Sequence, residues 1–144
     1  MATIGELVAK KGSQVYQVSP SASVLDATRA MNEHRVGGLV VIRDGRMVGV
    51  FTERDVLRRV VAEQRNPSAL LVRDVMTTDV ICCDPSTTVD EASRIMRDRR
   101  VRHLPICDPQ GRVMGLVSIG DINAFHADVQ EATIQLLSDY VTAR

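Results

Sequence analysis

The fold of this protein is decided by a stretch of sequence that occurs twice. It reads SPSASVLDATRAMNEHRVGGLVVIRDGRMVGVFTERDV at residues 19–56 and DPSTTVDEASRIMRDRRVRHLPICDPQGRVMGLVSIGDI at residues 84–122. Pro20 aligns with Pro85 at an offset of 65 residues. After a one-residue insertion the offset is 66, which aligns Asp55 with Asp121. An internal repeat fixes the architecture before any local pattern is considered, and it predicts two related binding sites.

Length and charge limit what the chain can be. At 144 residues it makes one ordinary domain, whereas a single repeat of roughly 60 residues would bury too little surface to be stable alone. We therefore expect the two repeats to pack face to face. The 18 basic and 18 acidic residues cancel, so any anion site has to be built locally. The zero net charge, the aromatic content of 3% and the lack of Trp argue against nucleic acid as a partner.

The expected compartment follows from what the sequence contains and what it lacks. No apolar run approaches the roughly 20 residues that span a membrane, and residues 1–15 carry charges where a signal peptide is apolar. The three cysteines, Cys82, Cys83 and Cys107, are a poor disulfide framework and suit a reducing compartment. A cytoplasmic protein with no membrane partner is expected. Because buried cysteine usually acts as a small hydrophobe, neither a metal site nor a redox role is expected for the three cysteines.

Both repeats predict the same order of elements. Repeat one predicts a helix capped by Ser23, a strand over 36–42, a hairpin turn at Asp44-Gly45, a strand over 46–51 and a helix over 52–63. The corresponding prediction for repeat two is a helix over 89–98, strands over 101–107 and 112–117, and a helix from Ser118. Opening strands within 12–18 and 77–83 complete each unit. The fold class is α/β (α+β), with two pseudo-symmetric βαββα repeats packed through their sheets.

The chain is predicted to divide into three parts. Repeat one covers 1–66, with a short N-terminal lead-in helix, and repeat two covers 67–124. An amphipathic helix covers 125–144, where one helical stripe joins Phe125, Val129, Ala132, Leu136 and Tyr140. The terminal helices either cover the chain's own core or form a dimer interface, and the sequence does not separate these alternatives.

A short motif at the end of each repeat carries the candidate chemistry. It reads GVFTERD at residues 49–55 and GLVSIGD at residues 115–121, so a hydroxyl residue opens a helix and an acid follows three residues later. This pattern is close to a capping box, in which both side chains satisfy backbone donors. It also suits a ribose phosphate, because a helix N-terminus favours an anion and a carboxylate can accept ribose hydroxyls.

The tandem arrangement of helix, strand and Gly-h-h-[Ser/Thr]-x-x-Asp resembles the CBS domain pair, or Bateman module, of stand-alone bacterial-type CBS proteins. The lead-in VRDVMT at residues 72–77 and RHLP at residues 102–105 are also similar to that family. The resemblance implies a regulatory sensor that binds adenine-containing ligands such as AMP, ATP, NAD or S-adenosylmethionine between its repeats. It implies no required cofactor, a homodimer, and signalling to an effector protein of unknown identity through a conformational change.

In that family each site is composite, so two sets of residues are implied. One site would use Ser118, Gly120 and Asp121 with Val15, Val36, Gly37, Gly38 and Leu39. The other would use Thr52, Arg54 and Asp55 with Val80, Val101, Arg102, His103, Leu104 and Pro105.

Several of these residues allow another interpretation. Gly37-Gly38 gives a bare backbone edge that could read an adenine, or it is only a tight entry into a strand. Arg102 could bind a phosphate with two parallel hydrogen bonds, or it forms a solvated face with Arg99 and Arg100. One rival hypothesis is an interaction module whose nucleotide sites have decayed. The other is an enzyme with Asp55 or Asp121 as base, which the absence of a catalytic motif disfavours, so no catalytic residue is predicted.

Overall fold

The computed structural model describes residues 1–12 and 15–142. The first half contains α1 (Ile4–Lys11), β1 (Gln17–Val18), α2 (Val24–His34), β2 (Gly38–Arg43), β3 (Arg46–Thr52) and α3 (Glu53–Asp55), which continues as a π-helical segment (Val56–Val61). The second half contains α4 (Val72–Val75), α5 (Val89–Arg99), β4 (His103–Cys107), β5 (Val113–Ser118) and α6 (Ile119–Thr142). Among the described residues, no helix combines the length and the apolar character that crossing a bilayer requires.

The two repeats form matching sheets. The first sheet has the order β1-β2-β3, and the second pairs β4 with β5. Val18 pairs in parallel with Val41, and the equivalent residue Cys83 pairs in parallel with Ile106. Each antiparallel pair also has its register shift at the equivalent place, after Val41 and after Ile106. The predicted α+β class with two pseudo-symmetric repeats is therefore confirmed.

The opening strands are shorter than the sequence pattern predicts. In repeat one only Gln17–Val18 is a strand, and Ser13 and Gln14 lie outside the described residues. The prediction of a strand over 77–83 was wrong, because only its two ends make bridges. Thr77 pairs with Val50 of the first sheet, whereas Cys83 pairs with Ile106 of the second. The segment crosses from one sheet to the other, so its middle has no strand beside it.

The lead-in helices are exchanged between the repeats. Although α1 precedes repeat one in sequence, Ile4, Leu7 and Val8 are buried in the core of repeat two. Conversely, Val72 and Val75 of α4, which precede repeat two, are buried in the core of repeat one. Each repeat therefore completes its core with a segment that precedes the other repeat.

The hydrogen bonds that hold the two lead-ins follow one pattern. In one half, the backbone N–H groups of Ile4 and Gly5 donate to Thr87 and Pro85, over distances of 2.8 and 2.9 Å. In the other, those of Val72 and Arg73 donate to Ala22 and Pro20, the residues equivalent to Thr87 and Pro85, over 2.9 and 3.0 Å. The same docking of a lead-in segment onto the other repeat therefore occurs twice in the fold.

The glycine that opens each candidate motif makes room for the exchanged lead-in. A Cβ atom on Gly49 would lie 2.8 Å from the backbone oxygen of Thr77 and 2.9 Å from Sδ of Met76. A Cβ atom on Gly115, the equivalent residue, would lie 3.1 Å from both γ-methyl groups of Val8. Close approach of another segment is a reason for glycine within a strand.

The C-terminal helix differs from its prediction in length. The helix expected from Ser118 and the one expected over 125–144 form a single helix, α6, although residues 143 and 144 lie outside the described residues. Ile122 is the residue of α6 that is buried, and Phe125 packs against the core of repeat two. Beyond Phe125 the helix leaves the core, and the apolar side chains of its second half are exposed.

Candidate functional site

A cleft of about 1000 Å³ lies between the two repeats, a volume that suits a small-molecule ligand. One wall is the end of β3 with α3 and the π-helical segment of repeat one, and the other is the start of β4 with the end of α5. The cleft is lined by eight residues that the sequence assigns to one composite site: Thr52, Arg54, Asp55, Val80, Val101, Arg102, His103 and Leu104. Pro105 is buried within β4 and does not line the cleft.

Asp55 is held firmly at the floor of this cleft. It is 5% exposed, and it is the buried charged residue among those that the structure describes. Its Oδ2 accepts hydrogen bonds from the backbone N–H of Thr52 at 2.9 Å and from Oγ1 of Thr52 at 3.3 Å. Its Oδ1 accepts from Oγ1 of Thr77 at 2.9 Å, and Nε of Arg59 lies 4.0 Å away. The carboxylate is positioned by these contacts and faces the cleft.

Positive charge is concentrated around the cleft. Its lining has seven arginines, Arg35, Arg54, Arg58, Arg59, Arg99, Arg100 and Arg102, against the three acids Glu53, Asp55 and Asp79. A local excess of this kind, in a chain of zero net charge, is what an anionic ligand requires. Among the described residues, the guanidinium groups of Arg58, Arg99 and Arg102 make no hydrogen bond or ion pair and are available to a ligand.

Two of these arginines have unusual backbone geometry. Arg35 and Arg100 are equivalent in the two repeats, and both end their helices in the left-handed conformation, with φ of 56° and 55°. Residues other than glycine adopt this conformation rarely, and it is found repeatedly at ligand sites. Nη1 of Arg54 donates to the backbone oxygen of Arg100 at 2.9 Å, which joins the two repeats across the cleft.

His103 lies where the two sheets meet. A Cβ atom on Gly38 would lie 3.0 Å from Cδ2 of His103, so the glycine allows this ring to pack against β2. Burial lowers the pKa of His103 below its ordinary value, although Glu53 and Asp121 act in the opposite direction. The imidazole is therefore neutral at pH 7.

The second composite site is closed by a side chain of the lead-in helix. Ser118 and Asp121 form a complete capping box, because Ser118 N donates to Oδ2 of Asp121 at 2.8 Å and Asp121 N donates to Oγ of Ser118 at 3.1 Å. Nζ of Lys11 donates to the same carboxylate oxygen at 2.6 Å and to the backbone oxygen of Leu116 at 2.9 Å. Burial would raise the pKa of Asp121, but the hydrogen bonds from Lys11 and Ser118 outweigh it and lower the pKa.

The remaining residues assigned to the second site are not brought together in one cavity. Val36 and Gly37 line the large cleft instead, where a Cβ atom on Gly37 would lie 3.2 Å from the Glu53 carboxylate. Gly38 is covered by His103, and Leu39 is fully buried in the core of repeat one. Val15 is half-buried and Gly120 is exposed, and the cleft reaches neither.

Five arginines of the lining are absent from the site that the sequence predicts: Arg35, Arg58, Arg59, Arg99 and Arg100. A signal was present for two of them, because Arg35 aligns with Arg100 in the repeat. Arg58 and Arg59 lie in the π-helical segment. A π-helical turn shifts the side chains that follow, and such turns are frequent at functional sites. The shift cannot be read from helical periodicity.

Comparison with known proteins identifies the family. The family model for the CBS domain matches residues 4–62 and 72–127. A curated relative, the mitochondrial CBS domain-containing protein CBSX3 of Arabidopsis thaliana, is 32% identical over 96% of this chain and 71% of its own length.

Solved structures share the arrangement. The CBS-domain protein ATU1752 of Agrobacterium tumefaciens is 32% identical, with a TM-score of 0.82 over 87% of this chain and 99% of that one. The CBS domain pair of protein MJ0100, solved with 5′-methylthioadenosine and S-adenosyl-L-methionine, is 20% identical, with a TM-score of 0.77 over 87% of this chain and 99% of that one. This chain belongs to the CBS domain family and carries the domain twice, as a tandem pair.

Proposed function

We propose that this protein is a regulatory module that binds an adenine nucleotide in the cleft between its CBS repeats. The observation that carries the proposal is the buried carboxylate of Asp55, positioned by Thr52 and Thr77 on the floor of a cleft that seven arginines line. A carboxylate suits the hydroxyls of a ribose, and arginine suits a phosphate.

The charge of the lining favours a ligand of the AMP, ATP or NAD type. The MJ0100 pair, solved with S-adenosyl-L-methionine and 5′-methylthioadenosine, supports an adenosine-containing ligand for the fold. S-Adenosylmethionine carries a positive sulfonium, however, which an excess of arginine over acid repels. A phosphate close to Arg99 and Arg102 gains charge-assisted hydrogen bonds, so affinity should rise from AMP to ATP.

The adenine ring would lie between the apolar side chains of the cleft. Val80, Val101 and Leu104 line one side and Val36 lines the other, and each wall belongs to a different repeat. A ligand that contacts both walls stabilises one relative position of the repeats. It can transmit a signal only if its affinity for that position is higher than its affinity for another position. In this proposal the module is a sensor and not an enzyme. The effector is another protein, and the expected location stays cytoplasmic.

The test is isothermal titration calorimetry with AMP, ADP, ATP, NAD and S-adenosylmethionine. Arg99→Ala removes a guanidinium that lines the cleft, and Arg94→Ala removes an exposed guanidinium from the same helix away from it. We expect one nucleotide to bind, about tenfold weaker binding by Arg99→Ala, and unchanged binding by Arg94→Ala. Absence of heat with every nucleotide overturns the proposal and favours an interaction module with decayed sites.

The proposed assembly is a homodimer through the exposed part of α6. Val129, Ile134, Leu136, Leu137 and Val141 are between 48% and 71% exposed. Within the described helix the acids Asp128, Glu131 and Asp139 lie on the opposite side from Leu137, and no Lys or Arg follows Asp121. A second copy is the occupant that fits, because a two-fold axis places the apolar face against itself and leaves the acids in water. The hexameric CBS-CP12 protein of bloom-forming cyanobacteria, 25% identical with a TM-score of 0.75, supports self-association for the fold.

Light scattering after size-exclusion chromatography tests this assembly. The wild type should have about twice the chain mass of 15.8 kDa, and Leu136→Glu should shift it toward the monomer. Met114→Glu, which charges an exposed apolar residue of β5, is the control that should stay dimeric. A wild type of 15.8 kDa at micromolar concentration overturns the dimer.

A further inference from the structure

Two cysteines that the sequence separates meet beside the cleft. Sγ of Cys107 lies 2.7 Å from Sγ of Cys82, and the Cys107 thiol is the donor of this contact. Cys82 is exposed and Cys107 is buried. The sequence prediction that all three cysteines act as buried hydrophobes therefore fails for Cys82.

The backbone fixes the two sulfur atoms in this position. The N–H of Cys83 donates to the oxygen of Pro105, and the N–H of Cys107 donates to the oxygen of Cys83, both at 2.9 Å. Cys83 itself is buried and points into the core of repeat two. Of the adjacent pair, Cys82 is thus the one whose sulfur meets Cys107.

We propose that Cys82 and Cys107 form a reversible intramolecular disulfide that fixes one wall of the cleft. Asp79, Val80 and Ile81, directly before Cys82, line the cleft, and so does His103 at the other end of β4 from Cys107. A bond between the two sulfur atoms ties the segment that crosses between the repeats to β4. The bond joins residues that are 25 positions apart in sequence.

The oxidant is a hydroperoxide. The exposed sulfur of Cys82 attacks one peroxide oxygen, the O–O bond breaks, and the thiol proton passes to the other oxygen, which leaves as water or an alcohol, so that Cys82 becomes a sulfenic acid. Cys107 then attacks the Cys82 sulfur, the S–S bond forms, and the sulfenic oxygen leaves as water. The two thiols supply the two electrons that reduce the peroxide. A dithiol reverses the reaction by exchange, as is usual for the disulfides of reducing compartments.

The order of attack follows from the surroundings of each sulfur. Burial raises the pKa of Cys107 to about 12, and its hydrogen bond to Cys82 acts in the same direction. Burial also raises the pKa of the Cys83 thiol. Both groups stay protonated at pH 7, so they are poor first nucleophiles.

The test treats the reduced full-length protein with hydrogen peroxide, blocks remaining thiols with N-ethylmaleimide and maps the peptides by mass spectrometry. We expect a Cys82–Cys107 link within one chain, lost in Cys82→Ser and Cys107→Ala and kept in Cys83→Ala. Closing the loop should raise Tm by about 5 to 10 °C, and dithiothreitol should reverse the shift.

Three outcomes overturn the proposal: free thiols after excess peroxide, a sulfinic acid at Cys82 without a link, or a link through Cys83 or between chains. Wild-type mapping alone distinguishes them, even where a variant fails to fold. The effect on the cleft rests on the proposed function, and oxidised protein should differ from reduced protein in nucleotide affinity at least threefold. The link is mapped without nucleotide, so failure of nucleotide binding and failure of disulfide formation are read separately.

Discussion

The ammonium of Lys11 lies 2.6 Å from Oδ2 of Asp121, whereas the equivalent acid of repeat one, Asp55, has a threonine hydroxyl, that of Thr77, at 2.9 Å. Both partners belong to the segment that leads into the other repeat. A hydroxyl leaves the Asp55 carboxylate without a lysine partner, and its nearest cation is Nε of Arg59 at 4.0 Å. The lysine neutralises Asp121 and occupies one of its carboxylate oxygens. The lead-in residue therefore contributes to the difference between the two sites, together with the burial of Leu39 and the packing of His103 on Gly38.

Replacing Lys11 with Met should open the second site. The change keeps most of the side-chain length and removes the ammonium that contacts Asp121 and Leu116. We expect calorimetric stoichiometry to rise from one nucleotide per chain toward two. Lys10→Met is the control, since Lys10 is paired 3.7 Å from Asp128, away from both sites. A stoichiometry that stays at one would show that Lys11 is not what closes the site.

The same variant should lose stability in a defined range of pH. The pKa of Asp121 is lowered in the folded protein, so its contribution is present above its ordinary pKa of 3.8 and is lost as the pH falls through the folded value. The pair is partly exposed, so we expect Lys11→Met to lower the free energy of unfolding by about 0.5 to 1 kcal/mol at pH 7. The difference should be smaller at pH 3. Urea unfolding at both pH values measures it, and an equal loss at pH 3 would contradict the assignment.

His103 should make the fold sensitive to mild acid. Burial lowers its folded pKa, so the unfolded chain binds a proton more readily, and stability falls as the pH drops below the ordinary value of 6.5. Glu53 and Asp121 oppose this shift, while Lys11 and Arg102 add to it. Urea midpoints at pH 7.5 and 5.5 should differ in the wild type and differ less in His103→Gln.

The matched control for this measurement is His126→Gln, because Nε2 of His126 lies 3.7 Å from the exposed Asp90 and 43% of its side chain is exposed. This variant should keep the wild-type difference between the two pH values. If His103→Gln also keeps it, another group is responsible for the acid sensitivity.

Alanine at the two motif glycines should have unequal effects. At Gly49 the new methyl group would meet the backbone of Thr77, which cannot move without displacing the lead-in. At Gly115 it would meet the methyl groups of Val8, which can rotate or shift. We expect Gly49→Ala to cost about 2 to 3 kcal/mol and Gly115→Ala to cost about 1 kcal/mol. Differential scanning calorimetry compares them, and equal losses would contradict the role given to the lead-in backbone.

Asp55→Ala should destabilise the protein more than Asp121→Ala. Removal of the buried carboxylate leaves the N–H of Thr52 and the hydroxyl of Thr77 without their acceptor, a loss of about 3 kcal/mol. Asp121 is 25% exposed, so water can replace it for Ser118, and about 1 kcal/mol is expected. Urea unfolding at pH 7 gives both values. The reverse order would show that burial of Asp55 contributes little.

Much of the fold could be predicted because it rests on local signals. Ser23 accepts the hydrogen bond from Asp26 N at 3.0 Å that an N-cap requires, and Asp44-Gly45 turns the first hairpin with positive φ at both residues. The exchange of lead-ins could not be predicted, because the apolar stripe of α1 fits the core of either repeat equally well. The middle of 77–83 has the composition of a strand, but strand formation depends on a neighbour that is absent there.

Of the candidate site, too, one part could be predicted from the sequence and another could not. The repeat predicts two acids in equivalent places, and in the structure both Asp55 and Asp121 accept a hydrogen bond from the backbone N–H of the hydroxyl residue three positions before them. The residue that lies beside each acid comes from a segment distant in sequence. Nothing in the sequence around Lys11 therefore indicates that it pairs with Asp121. The meeting of Cys82 with Cys107 depends on how the chain crosses between the sheets, which no local pattern shows.

The exchanged lead-ins also determine the order in which a chain leaving the ribosome can fold. Repeat one completes its core only after Val75 has been synthesised, and α1, made first, waits for partners as late as Ile122. Contacts between residues so far apart in sequence slow folding, because the entropy of closing a long loop is lost before the contacts stabilise the chain. We therefore expect neither repeat to fold by itself, and a chain truncated between them should populate an aggregation-prone intermediate in place of a smaller domain. The first helix to be synthesised is thus among the last to pack into a hydrophobic core.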